Sequence, residues 1–273
     1  MSLEQIPMNL SLIADEFSAE LDGQIAVAKM IGACAIDLRS VGDRNVSELS
    51  KNALDEALNR IRGEGLVVAS LASALGKRQV DPRIMVERLL MLHQAALRHG
   101  VPNIRIFGRM PADTQSDDTP LTWLAPLHAT VDDANVELVV EPEIGTGIAD
   151  PLSALLLLEN SGIRNIKLVW DSANFVKLGY DRPLSDLYER LRPHISHVHV
   201  KDYNIAEQRP CPSGEGAGQI PELLKRLERD RYAGWVALEP QLVRHKERYR
   251  TPLCALNAAA DGLLACWNRR ESA

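Results

Sequence analysis

Along the chain, short apolar runs alternate with longer stretches whose apolar positions recur at helical spacing. Leu54, Ala57, Leu58 and Ile61 lie three and four residues apart, which on an α-helix makes one apolar face. Ile195, Val198 and Val200 belong to a run in which His197 and His199 share one face at period two, a pattern that suits a strand covered on both sides. Strands are predicted over residues 8–14, 33–38, 66–71, 104–107, 137–141, 166–171, 195–201 and 235–239. Helices are predicted over 19–31, 49–62, 81–99, 121–134, 151–161, 184–191, 220–229 and 252–269. Gly32, Gly65 and Gly100 stand where helices should stop, as helix C-termini favour. Residues 111–119, rich in Asp, Thr, Ser and Pro, read as a surface loop, and residues 208–218 as a Gly/Pro-containing loop.

Eight strand–helix alternations in 273 residues match the size of a closed (β/α)8 TIM barrel in the α/β class. A doubly wound open sheet shares the rhythm, but eight units fit the barrel without leftover sequence. No shift of composition marks a second domain, so residues 1–273 are read as a single barrel domain.

Three of the predicted strands end on a carboxylate, Glu141, Asp171 and Glu239, and His199 lies near the C-terminal end of a fourth. In a parallel barrel all strand C-termini open on one face. Consecutive strands lie about 4.8 Å apart, so four such side chains can converge on one ion. Three carboxylates and an imidazole suit a hard divalent cation, with Mn2+ or Mg2+ first and Co2+ or Zn2+ as alternatives. Without a cation, the clustered carboxylates would repel one another. Lys201, His197, Asn174, Arg39 and Glu215 are secondary candidates for substrate contact. For His197 a buried hydrogen-bonded role competes, and for Lys201 a salt bridge. Glu215 could orient a ligand or Lys201.

The text Val140-Glu141-Pro142, Trp170-Asp171-Ser172-Ala173-Asn174, His197-Val198-His199-Val200-Lys201-Asp202, Gly214-Glu215-Gly216 and Leu238-Glu239-Pro240 resembles the xylose-isomerase-like barrel superfamily of sugar phosphate isomerases and epimerases. Asp37-Leu38-Arg39-Ser40-Val41 resembles that family's second-strand ending. The resemblance implies that Glu141, Asp171, His199 and Glu239 bind a single divalent metal, and that Glu141 and Glu239 carry protons. Asn174 stands where family members commonly have a His. Residues 209–213 hold no Asp or His ligand pair, so a three-metal nuclease site is not supported.

The activity expected is a metal-dependent isomerase or epimerase acting on a sugar, keto-sugar or polyol-derived small molecule by proton transfer through an enediolate. The alternative is a metal-dependent dehydratase of a keto-polyol such as an inosose or dehydroshikimate, which shares the first step. A formal charge of -6 argues against a nucleic-acid partner. No run of 18 apolar residues suggests a membrane span, and the N-terminus lacks the pattern of a secretory signal. The four cysteines form no CxxC pair and read as free thiols of a reducing cytoplasm. A homo-oligomer is left open. No dinucleotide loop, Walker A sequence or nucleophile elbow appears.

Overall fold

Eight strands form a closed parallel barrel: β1 (Asn9–Leu12), β2 (Ala35–Leu38), β3 (Val67–Leu71), β4 (Asn103–Ile106), β5 (Glu137–Val140), β6 (Ile166–Asp171), β7 (Ile195–Val200) and β8 (Trp235–Leu238). Each pairs with its neighbour in chain order, and β8 closes onto β1, with Leu10 beside Val236 and Leu12 beside Leu238. The computed structural model describes residues 2–77, 80–110, 120–127, 131 and 135–269. Between the strands run α1 (Leu21–Ile31), α2 (Lys51–Gly63), α3 (Pro82–His99), α4 (Pro151–Asn160), α5 (Ser172–Lys177), α6 (Pro183–Leu191), α7 (Ile220–Arg229) and α8 (Pro252–Arg269).

Most boundaries fall within a residue or two of those predicted, because capping chemistry marks them. Asp81 and Asp150 cap α3 and α4 through their carboxylates, each with Pro in the first turn. Gly32 and Gly100 end α1 and α3 in the left-handed conformation that glycine adopts without a Cβ clash. The helix predicted over 121–134 is different: Thr122–Leu127 is a 3-10 segment containing Pro126, whose missing N–H cannot continue an α-helical ladder. The rest of that prediction, at 128–130 and 132–134, lies outside the described residues, as does the predicted loop 111–119.

Alternation along the strands sorts the side chains. Val198, Val200, Val236, Leu238, Ile104 and Ile106 join the apolar layer with the helices. Ser11, Asp37, Asn103, Arg105, His197 and His199 are also buried but polar, and hydrogen bonds link Ser11, Asp37, His197 and Asn103 across the barrel interior. Strand register sets Asp171 beside His199 and Val169 beside His197. Two hairpins, Ser40–Val41 with Arg44–Asn45 and Asp202–Asn204 with Arg209–Cys211, extend the loops after β2 and β7. Trp170 and Phe107 are fully buried. Cys34, Cys211, Cys254 and Cys266 are free. Among the described residues, no helix is long and apolar enough to cross a membrane.

Candidate metal centre

The strand ends put their side chains where the spacing predicts. Glu141 follows β5 and Glu239 follows β8, their backbone N–H groups extending the ladders to Ile106 and Val200. Asp171 ends β6 and His199 is the penultimate residue of β7. One ligand atom from each of Glu141, Asp171, His199 and Glu239 lies within 4.8 Å of every other. All four residues are buried. His199 Nδ1 faces the carboxylates at 3.2 Å from Glu239 Oε2, 3.6 Å from Glu141 Oε1 and 3.9 Å from Asp171 Oδ2.

Cations balance this cluster. Lys201 Nζ lies 2.6 Å from Asp171 Oδ2 and 3.1 Å from Glu239 Oε2. Arg39 Nη1 donates to Glu239 Oε1 at 2.9 Å and its Nε to Asp15 Oδ2 at 2.9 Å. Arg105 Nη1 sits 3.0 Å from Glu141 Oε2. Asn174 Nδ2 donates to Glu141 Oε1 at 3.1 Å, and its backbone N–H caps onto Asp171 Oδ1 at 3.0 Å. Asn174 and Lys201 therefore hold ligand carboxylates in place.

Burial alone would push these carboxyls up. At Glu141, Arg105 and His199 outweigh it and bring the pKa down to about 2. Glu239 falls well below the carboxylate range because Lys201, His199 and Arg39 outweigh its burial. Asp171 is raised, burial being the dominant cause. Burial disfavours the His199 imidazolium, but Glu141 and Glu239 raise its pKa to about 10. Without an ion, His199 therefore carries a proton at neutral pH.

Several unsatisfied buried polar atoms gather at this cluster. His199 Nδ1 and Nε2, Glu141 Oε2 and Asp171 Oδ2 are buried and make no hydrogen bond. The contacts of Arg105 and Lys201 with these oxygens have ion-pair distances without hydrogen-bond alignment. Buried polar atoms are nearly always satisfied, and exceptions clustered on ligand-type atoms fit a missing ion. The donor set, three carboxylates and one imidazole, suits a hard divalent cation.

Two predicted contacts are corrected. His197 is not at the mouth: it is buried, 2.7 Å through Nε2 from Asp37 Oδ2 and 3.2 Å through Nδ1 from Asn103 Nδ2. Ser11 Oγ completes that chain by donating to Asp37 Oδ1 at 2.7 Å, while the His197 ring meets His199 edge-on at 5.4 Å. Glu215 is exposed and pairs with Arg248 at 2.9 Å, so it orients neither Lys201 nor a group at the cavity. The glycines around it serve Asp202, whose carboxylate accepts from the N–H groups of Gly214, Gly216 and Gly218 at 2.8, 3.1 and 2.8 Å. A Cβ on Gly216 would meet Asp202 Oδ1 at 2.3 Å.

Arg105 was missed, although a lone Arg between Ile104 and Ile106 in a buried strand signals a counter-ion within reach. Glu16 was missed too. Burial and Glu239 raise its carboxyl to about 7, and Oε2 accepts from the Gln241 N–H at 2.8 Å; nothing in its local sequence marks it. Above the cluster opens a cavity of about 120 Å3. Arg39, Arg105, Lys201, Glu141 and Glu239 line its floor, with Lys77, Glu143, Lys177, Gln241 and Arg244 around them.

The family model of the xylose isomerase-like TIM barrel matches residues 25–258. The chain belongs to that family. No curated protein sequence matches it at a significant level. Among solved xylose isomerase-like barrels, the zinc-bound IolI protein superposes with a TM-score of 0.73 at 16% identity, covering 96% of this chain and 99% of its own. The probable 3-DHS dehydratase AsbF from Bacillus anthracis gives 0.70 at 19% identity, covering 94% and 99%. A xylose isomerase-like protein from Mycobacterium smegmatis in complex with magnesium gives 0.64 at 17%, covering 96% and 99%. At these identities the likeness is one of fold.

Proposed function

We propose that the protein is a divalent-metal-dependent isomerase or epimerase acting on a sugar, keto-sugar or polyol-derived substrate. The observation that carries this reading is the convergence of Glu141, Asp171, His199 and Glu239 within 4.8 Å, with orphaned buried atoms on three of them. These four side chains would hold one ion, Mn2+ or Mg2+ first and Co2+ or Zn2+ as alternatives. The zinc-bound and magnesium-bound barrels of the same fold support a metal here. When bound, the ion would polarise a substrate carbonyl and offset the negative charge that grows as the adjacent C–H is deprotonated.

The chain's own groups move the proton. Glu141 and Glu239 are ionised at neutral pH, the form that accepts a proton from carbon. They follow β5 and β8, on either side of β6 and β7. A carbon held between them can lose a proton to one carboxylate and be reprotonated by the other once that one has taken a proton from solvent. The first then releases its own proton to solvent. Asn174 and Arg105 fix Glu141, and Arg39 and Lys201 fix Glu239. Return of the proton to the same carbon from the opposite face gives epimerisation, and return to the neighbouring carbon gives isomerisation. Loss of hydroxide instead gives the dehydratase, the runner-up that the fold likeness to AsbF keeps open.

Metal analysis followed by solvent deuterium incorporation into ketoses, inososes and hydroxypyruvate tests the proposal. A dehydratase would instead make an unsaturated product absorbing in the ultraviolet. Glu239→Gln should retain the circular-dichroism spectrum and lose exchange by about 10²- to 10⁴-fold. Undiminished exchange in that variant would remove Glu239 from proton transfer, and a wild-type chain that takes up no divalent ion would overturn the reading.

A further inference from the structure

We propose that Lys177 and Arg244 form an anion subsite at the barrel mouth, so that the substrate is a small carbonyl compound carrying a carboxylate or a phosphate. This rests on the reaction class proposed above and names its substrate class. Both residues line the cavity over the candidate ligands. Lys177 ends α5 after β6, and Arg244 ends the 3-10 turn Leu242–Arg244 after β8. They therefore flank Lys201, which follows β7 between them.

The other cations of this cavity are spoken for. Lys201 pairs with Asp171 and Glu239, Arg105 with Glu141, Arg39 with Asp15 and Glu239, and Lys77 with Glu143. Among the described residues, Lys177 and Arg244 have no ion-pair partner. Lys177 lies 5.3 Å over the Tyr203 ring, and its ammonium is held below the usual value by desolvation and by the Lys201 charge. A cation already disfavoured by its surroundings gains more from an arriving anion than a solvated one does.

Charge balance points the same way. Six cationic side chains and three carboxylates line the cavity, and Asp171 and Asp15 pair with Lys201 and Arg39 from behind it, which leaves a cationic excess. An anionic group on the substrate would supply the balancing negative charge. The cavity is small beside ordinary ligand pockets of about 300–1,000 Å3, which keeps a terminal anion within reach of both the rim and the ligands.

Calorimetric titration of the magnesium-loaded full chain with inorganic phosphate, acetate and glycerol tests this. One or both anions should bind more tightly than glycerol. Lys177→Gln and Arg244→Gln should each weaken that binding about tenfold, as loss of a charge-assisted hydrogen bond implies, without changing metal content. Lys51→Gln on the outer face of α2 should have no effect. Binding of phosphate alone identifies a phosphorylated substrate, and binding of acetate as well identifies a carboxylate. Anion binding no tighter than glycerol's, or equal in wild type and both variants, overturns the subsite. Because no turnover is read, the two proposals fail separately. A protein that exchanges deuterium into neutral ketoses and ignores both anions keeps its reaction and loses the subsite; one that binds anions and exchanges nothing does the reverse.

Discussion

The two halves of the barrel do different work on the same cluster. Strands β5–β8 supply Glu141, Asp171, His199 and Glu239, the four groups that can ligate. Strands β1–β4 and the loops after them supply Arg39, Arg105, Asp37 and Ser11, which set the charge of those groups or the packing of their neighbours. Arg105 spans the divide, with Nε and Nη2 donating to the carbonyls of Ser73 and Ala72 at 3.3 and 3.1 Å while Nη1 reaches Glu141. One half thus offers the groups that can ligate, and the other, joined by Lys201 after β7, makes three buried carboxylates tolerable in a folded chain.

Arg105→Met strikes that division hardest. It leaves Glu141 buried without its main counter-charge, and removing one partner of a buried pair costs about 3–5 kcal/mol. Thermal unfolding should show the loss, and added divalent ion should restore part of it by mass action. A variant as stable as wild type but inactive would put Arg105 with the reacting groups instead. Gly216→Ala comes next, since its Cβ would press on Asp202 Oδ1 and overpacking costs about 1–3 kcal/mol. Its effect should appear in the melting temperature and leave metal stoichiometry unchanged.

The third expectation concerns pH. The His199 pKa is raised to about 10 in the metal-free cluster, so its proton must leave before the imidazole can ligate. Apparent metal affinity should therefore rise with pH, about tenfold or 1.4 kcal/mol per unit for one proton released below that pKa. Titration of the metal between pH 6 and 8.5 reads the slope, and a flat profile would separate His199 from the ion. The same raised pKa gives the metal-free protein stability from the His199 contacts that is fully present below pH 6.5 and is lost as pH rises toward 10. The smallest effect belongs to Glu215→Gln. Its pair with Arg248 is exposed on both sides, so stability should change by less than about 1 kcal/mol and exchange by less than about twofold.

The ligand half was the legible half. Glu141, Asp171 and Glu239 each close an apolar run and His199 stands one residue short of closing another, and a parallel barrel turns four such strand ends into one cluster. The counter-charge half was harder to read, because its partners lie far away in sequence: Arg105 from Glu141 across one β–α unit, Asp37 from His197 across most of the chain. His197 shows the cost of reading one strand alone. Period two correctly put it on the face of His199, but one layer deeper in the barrel, where Asp37 and Asn103 already occupy its ring nitrogens. Glu215 misled for a related reason: its glycine neighbours exist to bring three N–H groups onto Asp202. Helix α5 went unread because six residues carry too little periodicity.

Lys201 gives the buried cluster a counter-ion that belongs to the chain. With its ammonium against Asp171 and Glu239, two of the three carboxylates carry their compensation with them into the barrel, so the interior can close over them without charge borrowed from outside.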